Sequence, residues 1–373
     1  MVIELFHGPT YAFKDVALQV LGNLFAYFLN RQSVDSGVEL ERLTILGATS
    51  GDTGSAALAG LRSKPGIEVY ILHPAGRISD VQEAQMTSIL DKNVHNIAVE
   101  GTFDMCQEIV KVMFGERKLG AVNSINWARI MAQMSYYFSS YFSLVKAGKV
   151  ELGEQVVYSV PTGNFGDVLA GWYARQMGLN IRFIVATNAN DILHTFFETG
   201  DVIKTECKST CSPAMDILVS SNFERVLWYY LDGQSDKVKE YMRDLKEKGG
   251  FKVDKDVLNK MKEVFKSARV DDKQTKECIR KYHPGYILDP HTAVGIVSAE
   301  QEQGLVVCLA TASPGKFPSV VLDALQGRNV VFEDFAPKEL VDVRSKPRKC
   351  VYIPTGGDFE RALQGVRKVL DAE

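Results

Sequence analysis

The chain has 373 residues, of which 46% are hydrophobic and 24% are charged, and its formal net charge is −3. This composition is typical of a globular protein with a large core, and the length favours two lobes. Because the sequence has no basic field and no apolar stretch of membrane-spanning length, we expect neither nucleic acid nor a membrane as a partner. The six cysteines lack metal-ligand spacing, so we expect reduced thiols, a cytoplasmic protein and no metal site.

The stretch 7–15 contains a Gly-Pro turn followed by the start of a helix. A glycine and a proline interrupt the backbone, and apolar residues at helical spacing over 16–29 predict a helix from Asp15 onward. Lys14 then lies at the junction, partly desolvated and close to the positive end of the helix, where the neutral amine is favoured. A neutral amine is the form that condenses with an aldehyde. The alternative is an ordinary exposed lysine in a first helical turn.

The next elements alternate between strands and helices. Residues 43–48 form an apolar strand, the loop 49–54 contains two glycines, and a helix of small residues follows over 55–61. Such a loop at a helix start presents backbone N–H groups to an anion. The polar stretch 123–129 precedes an apolar helix and needs partners if it is buried, with simple capping as the alternative. The same patterns predict strands over 68–73 and 94–99 and helices over 79–90, 103–114 and 130–145.

A second loop of this kind covers residues 161–167 and follows an apolar strand over 156–160. Gly163 and Gly166 let the backbone approach a phosphate, and Asn164 can add a side-chain N–H. The loop has neither the G-K-[ST] ending of nucleotide hydrolases nor the G-x-G-x-x-G fingerprint of dinucleotide sites. A turn that serves packing only is the alternative.

The remainder of the chain continues the α/β pattern. A strand over 181–186 ends in polar residues at 187–191, and open α/β sheets bind ligands at that edge. From 232 to 282 the composition shifts to lysine, glutamate and aspartate, which predicts solvated amphipathic helices in an insertion over 232–283. The patterns also predict a helix starting near His291, a strand over 306–310 that ends at Thr311, strands over 329–335 and 349–353, and a last helix from Asp358.

Together these elements predict an α/β protein with mostly parallel twisted sheets flanked by helices. We expect a smaller lobe over 40–150 and a larger lobe made of 1–39 and 151–373. One lysine at a helix start, two loops suited to anions and several polar strand ends fit a cofactor that carries an aldehyde and a phosphate. Pyridoxal phosphate is such a molecule.

Six stretches of the chain resemble threonine synthases of the long branch found in fungi and bacteria, in the same order along nearly the whole sequence. The resemblance implies a fold-type-II pyridoxal phosphate enzyme that converts O-phospho-L-homoserine and water to L-threonine and phosphate. It also implies a small-molecule substrate and a monomer or homodimer. The stretches are LFHGPTYAFKD at 5–15, GATSGDTG at 47–54, NSINWAR at 123–129, PTGNFGD at 161–167, DPHTAVG at 289–295 and the strand ending at Thr311.

The resemblance also implies roles for individual residues. Lys14 would form the Schiff base with the cofactor and move the α-proton of the substrate. Asp52 would act on the substrate carboxylate as a hydrogen-bond partner, because like charges repel. The cofactor phosphate would bind at Gly163, Asn164, Phe165 and Gly166, the pyridine nitrogen would face Thr311, the substrate carboxylate would bind at Ser50, Asp52 and Thr53, and the substrate phosphate would bind at Ser124, Asn126 and Arg129.

Three features depart from the family pattern. The chain starts almost on the lysine motif, so we expect it to lack the N-terminal segment of the long branch. Ser313 stands where the pattern Thr-Ala-His-Pro-Ala-Lys-Phe has histidine, and Ala189 stands where the pattern Thr-Asn-Glu-Asn-Asp has glutamate. Two alternatives therefore stay open: a threonine synthase-like phospho-lyase that gives 2-oxobutyrate, ammonia and phosphate, and a catalytically inactive truncated homologue.

Overall fold

The structure is a computed structural model that describes residues 1–36 and 42–372. The strands are β1 (Val2–Glu4), β2 (Leu43–Ala48), β3 (Ile67–Pro74), β4 (Val94–Val99), β5 (Val156–Pro161), β6 (Ile181–Thr187), β7 (Asp201–Ile203), β8 (Gly250–Lys252), β9 (Phe265–Arg269), β10 (Val306–Ala310) and β11 (Val351–Ile353). The helices are α1 (Lys14–Ser36), α2 (Asp52–Leu61), α3 (Asp80–Thr87), α4 (Phe103–Glu116), α5 (Trp127–Lys146), α6 (Gly166–Gln176), α7 (Ile192–Thr199), α8 (Phe223–Tyr230), α9 (Ser235–Glu247), α10 (Lys255–Lys262), α11 (Asp272–Tyr282), α12 (Pro290–Ala299), α13 (Pro318–Ala324), α14 (Lys338–Asp342) and α15 (Phe359–Asp371).

One compact unit, which we call the five-strand unit, consists of Met1–Leu5, Ile130–Pro314 and Pro318–Val331. Its centre is a parallel sheet in the order β1-β10-β5-β6-β9. The central strand β5 is an apolar run buried over nearly its whole length, as expected for a parallel strand covered on both faces. Because β10 and β6 flank β5 in parallel, the loops after these three strands emerge at one edge of the sheet.

The second compact unit, which we call the four-strand unit, consists of Phe6–Arg129, Gly315–Phe317 and Phe332–Glu373. Its sheet is parallel in the order β11-β4-β3-β2. Side chains alternate along β3: Val69 packs with residues of α1 and α2, whereas Tyr70 packs with residues of α4 and α15. This alternation with period two is the property that lets helices cover both faces of a strand. Over residues 1–36 and 42–372, no helix is long and apolar enough to cross a membrane.

The predicted α/β class with mostly parallel sheets is confirmed. The two units divide the chain differently from the expected lobes. Helix α1 belongs to the four-strand unit because Leu18 and Leu21 pack into the core shared with α2, and the C-terminal segment belongs there because β11 extends the sheet at β4. Residues 130–150 belong to the five-strand unit. The predicted boundary between 39 and 40 lies outside the described residues.

Two predicted elements are wrong. The charged region 232–282 is not entirely helical: Phe265–Arg269 forms β9, which pairs with β6, and the ring of Phe265 is buried in the core. The stretch 329–335 is not a strand. Within residues 1–36 and 42–372, its apolar residues meet no partner strand, and instead Phe332–Asp334 forms a 3-10 turn with Phe332 packed against Val81 and Leu340. In both places the tertiary environment overrides the local pattern.

Candidate active site

In the four-strand unit, the turn before α1 is built around the carboxylate of Asp15. This carboxylate accepts hydrogen bonds from the backbone N–H of Thr10 at 2.8 Å, from the Thr10 hydroxyl at 2.5 Å and from the N–H of Ala12 at 3.5 Å. A Cβ atom at Gly8 would lie 2.5 Å from Asp15 Oδ2, so only glycine fits beside the carboxylate. Burial raises the pKa of Asp15, and the hydrogen bonds from Thr10 oppose that rise. The turn makes Lys14 the first residue of α1.

The amine of Lys14 is held in a largely buried and positively charged environment. Its side chain is 13% exposed, and its Nζ lies 3.3 Å from Asp52 Oδ2. Burial lowers the pKa of Lys14; the charge of Asp52 opposes this effect, whereas the charges of Arg129 and Lys316 add to it. The Phe13 ring lies 4.8 Å from Nζ. The surroundings therefore favour the neutral amine, the nucleophilic form of a lysine.

Asp52 is the centre of a buried polar group that we call the lysine cluster, made of Lys14, Asp52, Gln82 and Lys316. Asp52 Oδ1 lies 3.0 Å from Lys316 Nζ and accepts a hydrogen bond from Gln82 Nε2 at 3.0 Å, while Oδ2 faces Lys14. The carboxylate is 5% exposed and Lys316 is 0% exposed. Asp52 thus serves as the charge partner of two lysines, a role that its sequence position did not predict.

The loop 49–54 leads directly into α2. The Thr49 hydroxyl oxygen accepts hydrogen bonds from the backbone N–H groups of Gly51 at 2.9 Å and Gly54 at 2.8 Å, which fixes the loop. Ser50 and Thr53 are both half-buried beside Asp52 in the chain. The assignment of Ser50, Asp52 and Thr53 to the substrate carboxylate stays a prediction.

The polar residues before α5 are bonded to the chain that precedes them. Asn126 donates from Nδ2 to the Ala121 carbonyl at 2.9 Å and accepts at Oδ1 from the Ala128 N–H at 3.0 Å, so it caps the helix start. Arg129 is buried and donates from its guanidinium to the Val122 carbonyl at 2.9 Å. Its charge acts on Lys14, which places Arg129 in the electrostatic surroundings of the lysine cluster. Ser124 is half-buried in the same stretch.

In the five-strand unit, the glycine loop, residues 162–166, connects β5 to α6 and presents backbone N–H groups. Among the described residues, none accepts a hydrogen bond from the N–H groups of 163–166. The Gly163 carbonyl accepts a hydrogen bond from the Ser220 hydroxyl, and the Asn164 carbonyl accepts from Asn222 Nδ2 at 3.1 Å. Because the carbonyls are bonded on one side, the N–H groups remain for an anion at the start of α6.

The aromatic ring of Phe165 anchors this loop. Phe165 has a φ of 60°, in the left-handed region, and its side chain is 1% exposed. The ring packs 5.5 Å from the ring of Phe223 and 5.8 Å from that of Phe265. A non-glycine residue with positive φ costs free energy and persists where its surroundings over-determine it, as they do here.

The first turn of α6 also carries a buried carboxylate, that of Asp167. Its Oδ1 accepts hydrogen bonds from the hydroxyls of Tyr136 at 2.6 Å and Tyr137 at 2.7 Å. Burial and the neighbouring charge of Asp167 raise the pKa of Tyr137 well above its usual value, so this phenol remains a donor. The two tyrosines thereby hold the start of α6 against α5.

Thr311 follows β10 at the same sheet edge as the glycine loop. Its backbone N–H donates to the Thr292 hydroxyl oxygen at 3.2 Å, and the Thr292 hydroxyl in turn donates to Asp289. Asp289 also lies 2.9 Å from His291 Nδ1, and His291 Nε2 accepts a hydrogen bond from the Ala214 N–H at 3.1 Å. Within the described part of the chain, the Thr311 hydroxyl has no hydrogen-bond partner, which leaves it for a ligand.

These features fit pyridoxal phosphate. The glycine loop offers unpaired N–H groups to a phosphate, the Thr311 hydroxyl can face a neutral ring nitrogen, and the lysine cluster contains an amine whose pKa is lowered. The structure places the predicted phosphate residues and Thr311 together in the five-strand unit. It places Lys14, Ser50, Asp52, Thr53, Ser124, Asn126 and Arg129 in the four-strand unit.

Sequence reasoning missed several residues that shape the site. Lys316 and Gln82 are bonded to Asp52, and Ser220 and Asn222 support the glycine loop. Lys316 is the lysine of the Thr-Ala-His-Pro-Ala-Lys-Phe pattern, to which no role was assigned, and its position just after a buried strand is an unusual place for a charge. No group of three or more His, Cys, Asp and Glu side chains suited to a metal ion occurs in the residues that the structure describes.

Comparisons with known proteins agree with this chemistry. A family model described as pyridoxal-phosphate dependent enzyme matches residues 3–254, and one described as threonine synthase, C-terminal, matches residues 292–364. The threonine synthase of Saccharomyces cerevisiae is 47% identical over 385 residues, covering 94% of this chain and 74% of that protein. The crystal structure of yeast threonine synthase matches with a TM-score of 0.91 and 45% identity, covering 100% of this chain and 78% of that chain. A pyridoxal phosphate-bound threonine synthase from Brucella melitensis matches with a TM-score of 0.87 and 40% identity, covering 98% of this chain and 78% of that chain.

Proposed function

This chain belongs to the threonine synthase family of pyridoxal phosphate-dependent enzymes, and we propose that it converts O-phospho-L-homoserine and water to L-threonine and phosphate with Lys14 as the reacting lysine. Its activity is that of a lyase of amino-acid biosynthesis, and its cofactor is pyridoxal phosphate. The observation that carries the assignment of Lys14 is its place at the start of α1, largely buried, with a lowered pKa. A lysine used only as a surface charge has no need of such surroundings.

Three groups of residues would hold the cofactor. Lys14 would bind it covalently through the amine, the N–H groups of 163–166 would bind its phosphate, and the Thr311 hydroxyl would face the ring nitrogen. When bound, the cofactor supplies an electron sink for the negative charge that develops on carbon atoms of the substrate. A neutral hydroxyl at this position would favour an unprotonated ring nitrogen, and the backbone N–H of Thr311 is bonded to another hydroxyl, that of Thr292.

Side chains of the four-strand unit would transfer the protons and bind the substrate. Lys14 Nζ would take one proton from Cα and one from Cβ of the substrate and would deliver one to Cγ and one back to Cα, and Asp52 Oδ2, 3.3 Å away, would orient this amine. Arg129 carries the charge that suits the departing phosphate, with Ser124 and Asn126 beside it. The bond from Cγ to the phosphate oxygen breaks, and Cγ becomes the methyl group of threonine with the proton taken from Cβ. Water supplies its hydroxyl group to Cβ and its remaining proton to the released phosphate. Ser50 and Thr53 hold the substrate carboxylate.

We also propose an oligomeric state and a cellular location for this protein. The substrate is a small molecule, and we propose a monomer or homodimer that acts without nucleic acid, in line with a net charge of −3. All six cysteines are free thiols, which supports a reducing compartment, and we propose the cytoplasm.

The test is product analysis after incubating the purified chain with pyridoxal phosphate and O-phospho-L-homoserine. We expect threonine and phosphate in equal amounts. Phosphate with 2-oxobutyrate and ammonia would instead identify a phospho-lyase, and no phosphate at all would identify an inactive homologue; either result contradicts the proposal. In Lys14→Ala, we expect loss of the absorbance of covalently bound cofactor with an unchanged far-UV circular dichroism spectrum. If that absorbance persisted, a different residue would be the cofactor's lysine.

A further inference from the structure

Lys316 is a fully buried lysine whose ammonium group is completely satisfied by acceptors. It ends the 3-10 turn Pro314–Lys316, and its side chain is 0% exposed. Its Nζ donates to the Thr10 carbonyl at 2.7 Å and to Ser55 Oγ at 3.4 Å, and it lies 3.0 Å from Asp52 Oδ1. An ammonium group has three donors, and three acceptors surround it here. Each N–H of an ammonium group at this position therefore has an acceptor.

Lys14 has much poorer partners. Among the described residues, its Nζ has one acceptor, Asp52 Oδ2 at 3.3 Å, which is longer than the roughly 2.7–2.9 Å of a strong charge-assisted hydrogen bond. Asp52, on α2, thus offers its closer oxygen to Lys316 and its more distant one to Lys14.

The charges around Lys14 do not balance if both lysines are protonated. Three charged groups on neighbouring elements act on Lys14: the carboxylate of Asp52, the guanidinium of Arg129 and the ammonium of Lys316. On its own helix, Asp15 accepts hydrogen bonds from the Thr10 turn, and its carboxylate interacts electrostatically with Lys316. Asp52 is the carboxylate that lies within 3.3 Å of both amines, and an uncompensated buried charge is costly. The lysine with the poorer partners then releases its proton most readily.

We propose that Lys316 is a positioning residue that takes Asp52 as its counter-ion and thereby keeps Lys14 in the neutral, nucleophilic form before the cofactor binds. Lys316 acts through Asp52 and does not react itself. The significance of this arrangement for catalysis rests on the proposed function of Lys14, whereas the protonation of Lys14 can be measured without cofactor or substrate.

The test measures the reactivity of Lys14 with acetic anhydride as a function of pH. The full chain is freed of cofactor with hydroxylamine, dialysed, checked by circular dichroism and labelled at trace level, and acetylated peptides are quantified by mass spectrometry. Lys273, whose side chain is 83% exposed, is the internal reference in the same sample. The plateau rate at high pH reports access to the amine, and the midpoint reports its protonation. In the wild type, we expect the Lys14 midpoint below that of Lys273; a midpoint at or above it overturns the proposal without any variant.

Variants at position 316 then separate charge from packing. In Lys316→Met, Lys14 becomes the only lysine beside Asp52, so we expect the pH midpoint of Lys14 labelling to rise. At neutral pH, the labelling rate of Lys14, relative to its plateau rate at high pH, should fall by about ten- to a hundredfold. Lys316→Gln keeps an N–H donor for the Thr10 carbonyl without the charge, and we expect the same upward shift. Lys316→Arg keeps the charge, and we expect the wild-type midpoint.

An unmoved midpoint in a folded Lys316→Met or Lys316→Gln chain overturns the proposal, as does an Arg variant that behaves like the Gln variant. A purely structural role would change the plateau or the circular dichroism and leave the midpoint in place. Because labelling requires neither cofactor nor turnover, failure of the product assay and failure of this inference are distinguishable.

Discussion

Replacing Gly163 by alanine tests whether the glycine loop depends on the close approach of the chain behind it. A Cβ atom at this position would lie 3.0 Å from Ile217 Cγ1, 3.1 Å from the Ala214 carbonyl oxygen and 3.2 Å from Met215 Cα. Two of these three atoms belong to the backbone, and the Ala214 N–H is bonded to buried His291 at 3.1 Å. Rotation of the Ile217 side chain would relieve one of these contacts, but the two backbone contacts would remain.

Gly166 provides a matched control in the same loop. A Cβ atom there would lie 3.5 Å from Asn222 Nδ2 and 3.5 Å from Ile130 Cδ1, which are ordinary van der Waals distances. Gly166 is also the first residue of α6, where alanine has the better helix propensity. The two substitutions thus add the same methyl group to a tight position and to an open one.

The cost of the tight position can be estimated. Adding a methyl group to a packed site that cannot relax costs about 1–3 kcal/mol, and about 2 kcal/mol corresponds to a melting temperature lower by roughly 4–8 °C in a unit of this size. We expect this shift for Gly163→Ala in the cofactor-free chain, measured by differential scanning calorimetry, together with weaker binding of pyridoxal phosphate as the loop moves. For Gly166→Ala, we expect no loss of stability.

Two results would refute this reasoning. If Gly163→Ala had the melting temperature and the cofactor affinity of the wild type, the backbone of 214–215 would be able to move away from the added methyl group. If Gly166→Ala lost as much stability as Gly163→Ala, the loop would exclude any side chain, and the contacts behind Gly163 would not be the cause.

Three further predictions address stability and reactivity. Burial lowers the pKa of Lys14 in the folded chain below its ordinary 10.5, so the unfolded chain binds more protons and Lys14 opposes folding until the pH exceeds about 10.5. In calorimetry at pH 8, Lys14→Met should therefore have a higher melting temperature than the cofactor-free wild type, and the difference should vanish near pH 10.5. A lower melting temperature of the variant at pH 8 would contradict this. Tyr137→Phe removes a buried hydroxyl that lies 2.7 Å from Asp167 Oδ1 and should cost about 1–3 kcal/mol in thermal unfolding, whereas an unchanged melting curve would show that the bond contributes nothing. Cys207 and Cys350 are both exposed, but desolvation of its sulfur raises the pKa of the Cys350 thiol to about 11. A thiol reagent at neutral pH should therefore modify Cys207 first, and mass mapping that finds Cys350 modified earlier would disprove this.

Most of the local elements of this fold could be predicted from sequence because their signals involve near neighbours. Apolar periodicity and glycine placement predicted several elements where the structure has them. These are the helix from Lys14, the strand–loop–helix units at 43–61 and 156–176, and the sheet edge after β6. Helix periodicity failed at Phe265–Arg269, since a short run of alternating residues becomes a strand only when β6 is present to pair with it. For the same reason, the apolar residues at 329–335 gave a strand pattern, although no strand in the described part of the chain pairs with them.

The sequence by itself determined the lysine at a helix start, the two glycine-containing loops and the parallel α/β class, because each depends on residues within a few positions of one another. Only the tertiary structure decided which charges surround Lys14. Lys316 lies 306 positions from the Thr10 carbonyl that it contacts and reaches Asp52 from the far end of the chain. No local pattern encodes such a contact, because it forms only when the core brings distant segments together. Because these side chains are buried, where the effective dielectric constant is low, charges a few ångströms from the Lys14 amine act on it strongly.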